Sequence, residues 1–272
     1  MDFDNPRMCE VFFDIYDALP RAGPGTAEST LRALALADPL PEGALVLDLG
    51  CGPGRQTLDL AAALPSAEIV AVDLHRPFLD LLDAEVRRRG LGHRVRTVHG
   101  DMSCLSIAEE SVDLIWSEGA AYSIGFAKAL EAWRPLLRPG GYLAVSEATW
   151  LRSARPDEIV AFWQQEYPDM LDVEGCLDLF PRAGYRVIGS FPLPEQAWWQ
   201  DFYTPMLGRL DELGRRFNGD PVAEAVLDES RREIEVFRRY SAFSGYTFVV
   251  ARKASGQERV RRKGRAMARE DE

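Results

Sequence analysis

The stretch Val46-Leu-Asp48-Leu-Gly50-Cys51-Gly52-Pro-Gly54, followed nineteen residues later by Asp73, decides the fold. An apolar run ends, and the chain turns sharply through a glycine loop into a segment with helical character. Glycines permit φ > 0 and a close backbone approach to a ligand. An acid at the end of the next apolar run can accept hydrogen bonds from both hydroxyls of a ribose. A dinucleotide loop would carry a third glycine where Arg55 stands. Pro53 also removes a backbone N–H from the turn that would cradle a pyrophosphate. No Gly-Lys-Ser/Thr follows, so a phosphate-binding Walker loop is excluded. The loop suits a nucleoside-bearing ligand with no phosphate at this turn.

Working outward, apolar runs alternate with helical spacing. Strands are predicted over residues 44–49, 68–73, 94–99, 111–116 and 141–146. Helices are predicted over 55–64, 77–89 and 126–137. The second helix rests on Phe78, Leu81, Leu82 and Val86, and Gly90 closes it. Such alternation implies right-handed βαβ units, a mainly parallel sheet and helices on both faces. Helices over 156–167 and 175–183 follow, then a strand over 185–191. A largely helical, aromatic-rich stretch over 195–240 precedes a last strand, Tyr246 to Val250. The expected fold is therefore an α/β, Rossmann-like, seven-stranded, mostly parallel sheet with a helical insertion before the last strand. The expected organisation is an N-terminal helical cap over 1–39, a domain over 40–252 with an insertion at about 192–243, and a charged, disordered tail over 253–272.

Asp48-x-Gly50-x-Gly52-x-Gly54 resembles motif I of the class I S-adenosylmethionine-dependent methyltransferases. Four further stretches fall in register with that family: Asp73, Gly100-Asp101-Met102, Asp113-Leu-Ile-Trp-Ser-Glu118, and Leu136-Leu-Arg-Pro-Gly140-Gly141. Residues 116–122 and 146–150 further resemble an uncharacterised group of bacterial small-molecule methyltransferases. The resemblance implies S-adenosyl-L-methionine as cofactor. It implies that Gly50, Cys51, Gly52, Gly54 and Gln56 surround the methionine portion, with Asp48 orienting the loop and the cofactor's amino end. Asp73 would hold the ribose, Leu74 and Met102 would pack on the adenine beside Gly100, and Asp101 would accept from its amino group. Glu118 would sit near the sulfonium and the substrate.

Glu118 and Glu147 follow neighbouring strands, and ligands bind at the carboxyl ends of strands. They are candidates to bind a cationic amine or to accept a proton, with Tyr122 beside them; anchoring a loop is the alternative for each. Tyr122, Trp150, Trp198, Trp199 and Tyr203 form the aromatic supply near the expected mouth; Tyr122, Trp150, Trp199 and Tyr203 are the candidate substrate-lining residues, and packing of the insertion onto the sheet is the alternative for Trp198 and Trp199. Arg21-Ala-Gly-Pro-Gly-Thr26 reads equally as a linker or as a lid, with Arg21 or Thr26 donating to the cofactor's carboxylate. Under the lid reading, the amphipathic stretch with Val11, Phe12 and Ile15 caps the site. His75, His93 and His99 read as peripheral. The expected activity is methylation of a small molecule at nitrogen or oxygen. A noncatalytic cofactor-binding scaffold is the alternative, and an NAD-dependent reductase is disfavoured by Pro53 and Arg55.

The chain has 272 residues, 32 Lys and Arg against 43 Asp and Glu, and a net charge of −11. The excess is unevenly placed, because residues 252–272 carry eight basic and four acidic side chains. An acidic body repels nucleic acid and anionic membranes, so neither is expected as a partner. Cys9, Cys51, Cys104 and Cys176 form no metal-binding or disulfide pattern. No metal is expected, the expected location is cytoplasmic, and a homodimer is an open assembly.

Overall fold

A computed structural model describes residues 5–254. The last strand includes Lys253, so the expected tail boundary at 253 falls inside it, and residues 255–272 lie outside the described residues. Seven strands form one sheet in the order β3-β2-β1-β4-β5-β7-β6. They are β1 (Leu45–Leu49), β2 (Glu68–Asp73), β3 (Val95–His99), β4 (Val112–Glu118), β5 (Leu137–Trp150), β6 (Tyr185–Pro192) and β7 (Ser244–Lys253). The first five are parallel; β7 runs antiparallel between β5 and β6. The sheet is thus α/β, Rossmann-like and mostly parallel, as expected.

β1 is fully apolar apart from Asp48 and lies mid-sheet, with Val46, Leu47 and Leu49 excluded from solvent. Helices α3 (Arg55–Ala63) and α4 (Arg76–Arg88) cover one face through Leu58, Leu60, Leu79 and Leu82. Helices α5 (Phe126–Trp133) and α7 (Val173–Arg182) cover the other through Leu130, Trp133 and Phe180. Helix α2 (Ala27–Leu34) lies beside α3 on the first face through Ala33, and α1 (Pro6–Tyr16), α6 (Asp157–Glu166), α9 (Thr204–Arg216) and α10 (Pro221–Tyr240) form the remaining helical layer. A short helix α8 (Gln196–Trp198) runs through a π-helical turn, Trp199–Tyr203, into α9. α1 packs into α9 and α10 through Val11 and Ile15, which joins the two ends of the described chain in one apolar cluster. Among the described residues no helix is long and apolar enough to cross a membrane.

β5 starts four residues earlier than expected and runs four residues further. Leu137 pairs with Val112 across a local register shift, and Trp150 pairs with Ser244. Strand order reverses at β1, which has β2 on one side and β4 on the other. That is the switch point at which open α/β sheets leave a crevice for ligands.

Candidate active site

At this crevice the β1–α3 loop takes Gly50, Gly52 and Gly54 to φ of 68°, 54° and 82°. Each glycine answers a different neighbour. A Cβ on Gly50 would lie 2.3 Å from the Ala120 Cβ, and one on Gly52 would lie 3.3 Å from the Ala22 Cβ. A Cβ on Gly54 would meet Leu82 at 2.4 Å, so that glycine lets α3 seat against α4 and does not border the cavity. The expectation that all three admit the ligand is corrected for Gly54.

The cavity holds about 260 Å³ and is bordered by Gly50, Cys51, Gly52 and Gln56 of the loop. Asp73, Leu74, Gly100 and Met102 line the side beyond β2 and β3, and Glu118 and Tyr122 the side beyond β4. Asp73 is held by two backbone donors, Gly52 N–H to Oδ2 and His75 N–H to Oδ1, each at 2.8 Å. Both oxygens keep further lone pairs for a diol. Leu74 is 63% exposed, an unusual position for leucine, opposite the buried Met102. The Cys51 thiol is buried, which pushes its pKa up and keeps it inert.

Asp48 does not border the cavity. It is wholly buried, accepts from the Thr57 hydroxyl and from Gln56 Nε2, and burial pushes its pKa up to about 7. Gln56 Nε2 also donates to the Cys51 carbonyl at 2.8 Å, so Asp48 shapes the loop through Gln56 and Thr57. Asp101 points away too: it is exposed and accepts from Ser103 N–H at 2.7 Å, a turn-capping bond that lowers its pKa. Its adenine role is therefore not supported by its placement.

Glu118, at the tip of β4, is engaged by three donors. Its Oε1 accepts from the Thr30 hydroxyl at 2.7 Å and from Trp116 Nε1 at 2.9 Å, and its Oε2 accepts from Arg21 at 3.0 Å. Arg21 is 3% exposed and also meets Asp59 at 3.2 Å, yet its Nε has no partner. Thr26 spends its hydroxyl capping α2 at Ser29 N–H. Of the two proposed donors, only Arg21 thus borders the cavity with an open N–H.

Three aromatic residues of α1 (Phe12, Phe13 and Tyr16) close the near side. Phe13 stacks on His75 at 3.8 Å, and Asp17 meets His75 Nε2 at 2.6 Å. His75, read as peripheral, thus ties α1 to the loop carrying Asp73.

A second cavity of about 340 Å³ adjoins the first. Phe12, Tyr16, Gly119 and Tyr122 border both. Tyr122 exposes 46% of its surface, which faces these two spaces, while the surrounding protein pushes its hydroxyl up to about 12. Trp198 lines the second cavity, and Trp150, Trp199 and Tyr203 line neither. Trp150 packs against Phe162 under the Arg155 guanidinium. Trp199 lies under Arg238, bonded to Glu195. Tyr203 is wholly buried behind the wall, donating to Glu233 at 2.7 Å. Glu147 borders neither cavity; it lies 3% exposed beside the Tyr167 hydroxyl, with Oε2 unpartnered and its pKa pushed up to about 8 by burial. Sequence reasoning missed Glu166, Tyr167, Glu229, Glu233 and Tyr246, all of which line the second cavity.

Residues 46–141 match the family described as methyltransferase domain. Over those residues the chain is similar to a methyltransferase domain, and its sheet has the α/β, Rossmann-like fold of such proteins. Curated relatives are also methyltransferases. The malonyl-[acyl-carrier protein] O-methyltransferase of Methylococcus capsulatus is 36% identical over 132 residues, which is 48% of this chain and 46% of that one. A trans-aconitate 2-methyltransferase of Azoarcus is 29% identical over 76% of this chain and 72% of its own. The chain thus spans about half the length of the first of these curated relatives. A methyltransferase of Thiobacillus denitrificans, solved with S-adenosyl-L-homocysteine, superposes with a TM-score of 0.76 at 24% identity, over 92% of this chain and 99% of that one. The described residues form no group of three or more His, Cys, Asp or Glu able to hold a metal ion.

Proposed function

We propose that this protein transfers a methyl group from S-adenosyl-L-methionine to nitrogen or oxygen of a small molecule. The joined cavities carry this reading: one is built for a nucleoside beside Asp73, and the other opens from it across Tyr122. The residues present fit the cofactor. Gly50 brings bare backbone to the cavity wall against Ala120, Asp73 has lone pairs free for two hydroxyls, and Arg21 Nε is a buried donor without a partner. Asp73 would hold the ribose, Leu74 and Met102 the adenine, and Arg21 the carboxylate. When bound, the cofactor supplies a methyl group already activated on a sulfonium.

Positioning is then the main task left to the protein. An acceptor with a free lone pair would take that methyl group, and the protein's part is to hold the acceptor in line with the donor. Tyr122 borders both spaces and is the side chain best placed to touch the reacting groups. Glu118, engaged by Thr30, Trp116 and Arg21, acts by holding Arg21 and α2, so it is a positioning residue. Phe12, Phe13 and Tyr16 exclude water from the near side.

Titration calorimetry with S-adenosylmethionine, S-adenosylhomocysteine and NAD tests the cofactor on wild type and Asp73→Ala. Binding of the first two, weakened at least a hundredfold in the variant, with no response to NAD, is the expected result. Binding of NAD alone overturns it. Release of S-adenosylhomocysteine in an acceptor screen separates an enzyme from a scaffold that binds cofactor and transfers nothing.

A further inference from the structure

The second cavity has a chemistry of its own. Its walls are aromatic, with Tyr16, Tyr122, Tyr167, Trp198, Phe202 and Tyr246 on several sides. Three carboxylates share it: Glu166 at the end of α6, and Glu229 and Glu233 on α10. No Lys, Arg or His is among the described residues that line it.

The placement of these acids is unfavourable for the protein alone. Glu229 and Glu233 stand four residues apart on one helix, where like charges repel. They share their face with the buried Val226, Ser230 and Phe237, so solvent does not screen the pair well. Glu166 and Glu229 each have a buried Oε1 without a hydrogen-bond partner. Arg232 meets Glu229 at 3.6 Å but is half exposed and does not line the cavity. Glu233 receives one neutral donor, the Tyr203 hydroxyl. Burial and the neighbouring glutamates push Glu233 up to about 7 and raise Glu166 as well. Aromatic faces attract cations, most strongly where water is excluded. A positive ligand would satisfy both the rings and the acids; a carboxylate ligand would face repulsion from three sides.

Resting on the methyltransferase reading, we infer that the second cavity selects an organic cation, and that the substrate enters with an aliphatic ammonium group held between the aromatic walls and Glu166, Glu229 and Glu233. This choice excludes di- and tricarboxylate acceptors. It places specificity jointly on α1, α6 and α10, and not on the insertion alone.

The test uses the full chain, saturated with S-adenosylhomocysteine, and three probes of similar shape: benzyltrimethylammonium, the neutral neopentylbenzene and the anionic phenylacetate. Calorimetry should show the cation binding at least tenfold more tightly than the other two. Glu233→Gln and Glu229→Gln should each weaken the cation at least fivefold while S-adenosylhomocysteine affinity stays within twofold. Equal binding of cation and neutral probe, or preference for the anion, overturns the inference on wild-type protein without recourse to variants. Cation binding in a protein that does not bind S-adenosylhomocysteine would sustain the cavity's selectivity and remove the transferase reading, so the two can fail separately.

Discussion

Three glycines in one five-residue motif do three jobs, and only substitution tells them apart. Gly54→Ala combines a positive φ, costing about 1–2 kcal/mol for an L-residue, with overpacking against Leu82 of about 1–3 kcal/mol. Thermal unfolding should register a loss of roughly 2–5 kcal/mol by these estimates. In a Leu82→Ala background the packing share should vanish and the φ share persist, so the double-mutant cycle should be strongly non-additive. Additive losses would mean that α4 does not constrain the loop. Gly50→Ala carries a φ cost of the same kind and drives its Cβ into Ala120 on the cavity wall, so it should weaken S-adenosylhomocysteine binding as well as stability. The spacing of the motif was legible in the letters, as was Asp73, since both follow from a strand–turn–helix that must admit a ligand. The fate of Asp48 and Asp101 was not. Whether an aspartate faces a cavity or caps a turn depends on Thr57 and Ser103, whose donors face it only once the chain has folded.

At the scale of elements, the N-terminal segment packs on α9 and α10 through Val11 and Ile15 and reaches the first cavity by three contacts: Arg21 to Glu118, Asp17 to His75, and Phe13 on His75. Removing residues 1–26 should therefore weaken S-adenosylhomocysteine binding at least tenfold. Phe13→Ala and Asp17→Asn should each give a smaller loss of about fivefold, on the order of 1 kcal/mol per lost contact. Unchanged affinity in all three would leave α1 as packing only. Glu118→Gln offers a separate check. Because it breaks a buried ion pair, it should lower both melting temperature and cofactor affinity, whereas a purely catalytic carboxylate would lose turnover alone. Strand–helix alternation made the parallel half of the sheet readable, and the strong apolar run Tyr246 to Val250 made β7 readable. The second cavity was hidden because α6 and α10 look like ordinary amphipathic helices. Its one available signal was Glu229 and Glu233 on the same face as Val226 and Phe237, a like-charge pair four residues apart on the apolar side.

Across the whole molecule, acids are buried where their charge is disfavoured. Asp48 and Glu233 are raised to about 7 and Glu147 to about 8, in each case first by burial. A carboxyl group whose folded pKa exceeds its unfolded value of about 4 binds its proton more tightly in the folded state. Its stabilising contribution is complete below the unfolded value and is lost as pH rises through the folded one. All three therefore act in the same direction, and melting temperature should fall steadily from about pH 5 to about pH 8.5. Glu147→Gln should flatten that slope, with a gain at pH 8.5 on the order of a few kcal/mol at about 1.4 kcal/mol for each unit of pKa difference. A melting temperature that is level or rising over this range would mean that these acids reach water. The same linkage ties stability to the second cavity: a cation beside Glu233 favours its charged form and lowers its pKa toward the ordinary range. Benzyltrimethylammonium should therefore raise the melting temperature more at pH 8 than at pH 5. Glu233→Gln should abolish most of that difference, because the proton exchanged for the cation is then no longer there to be lost.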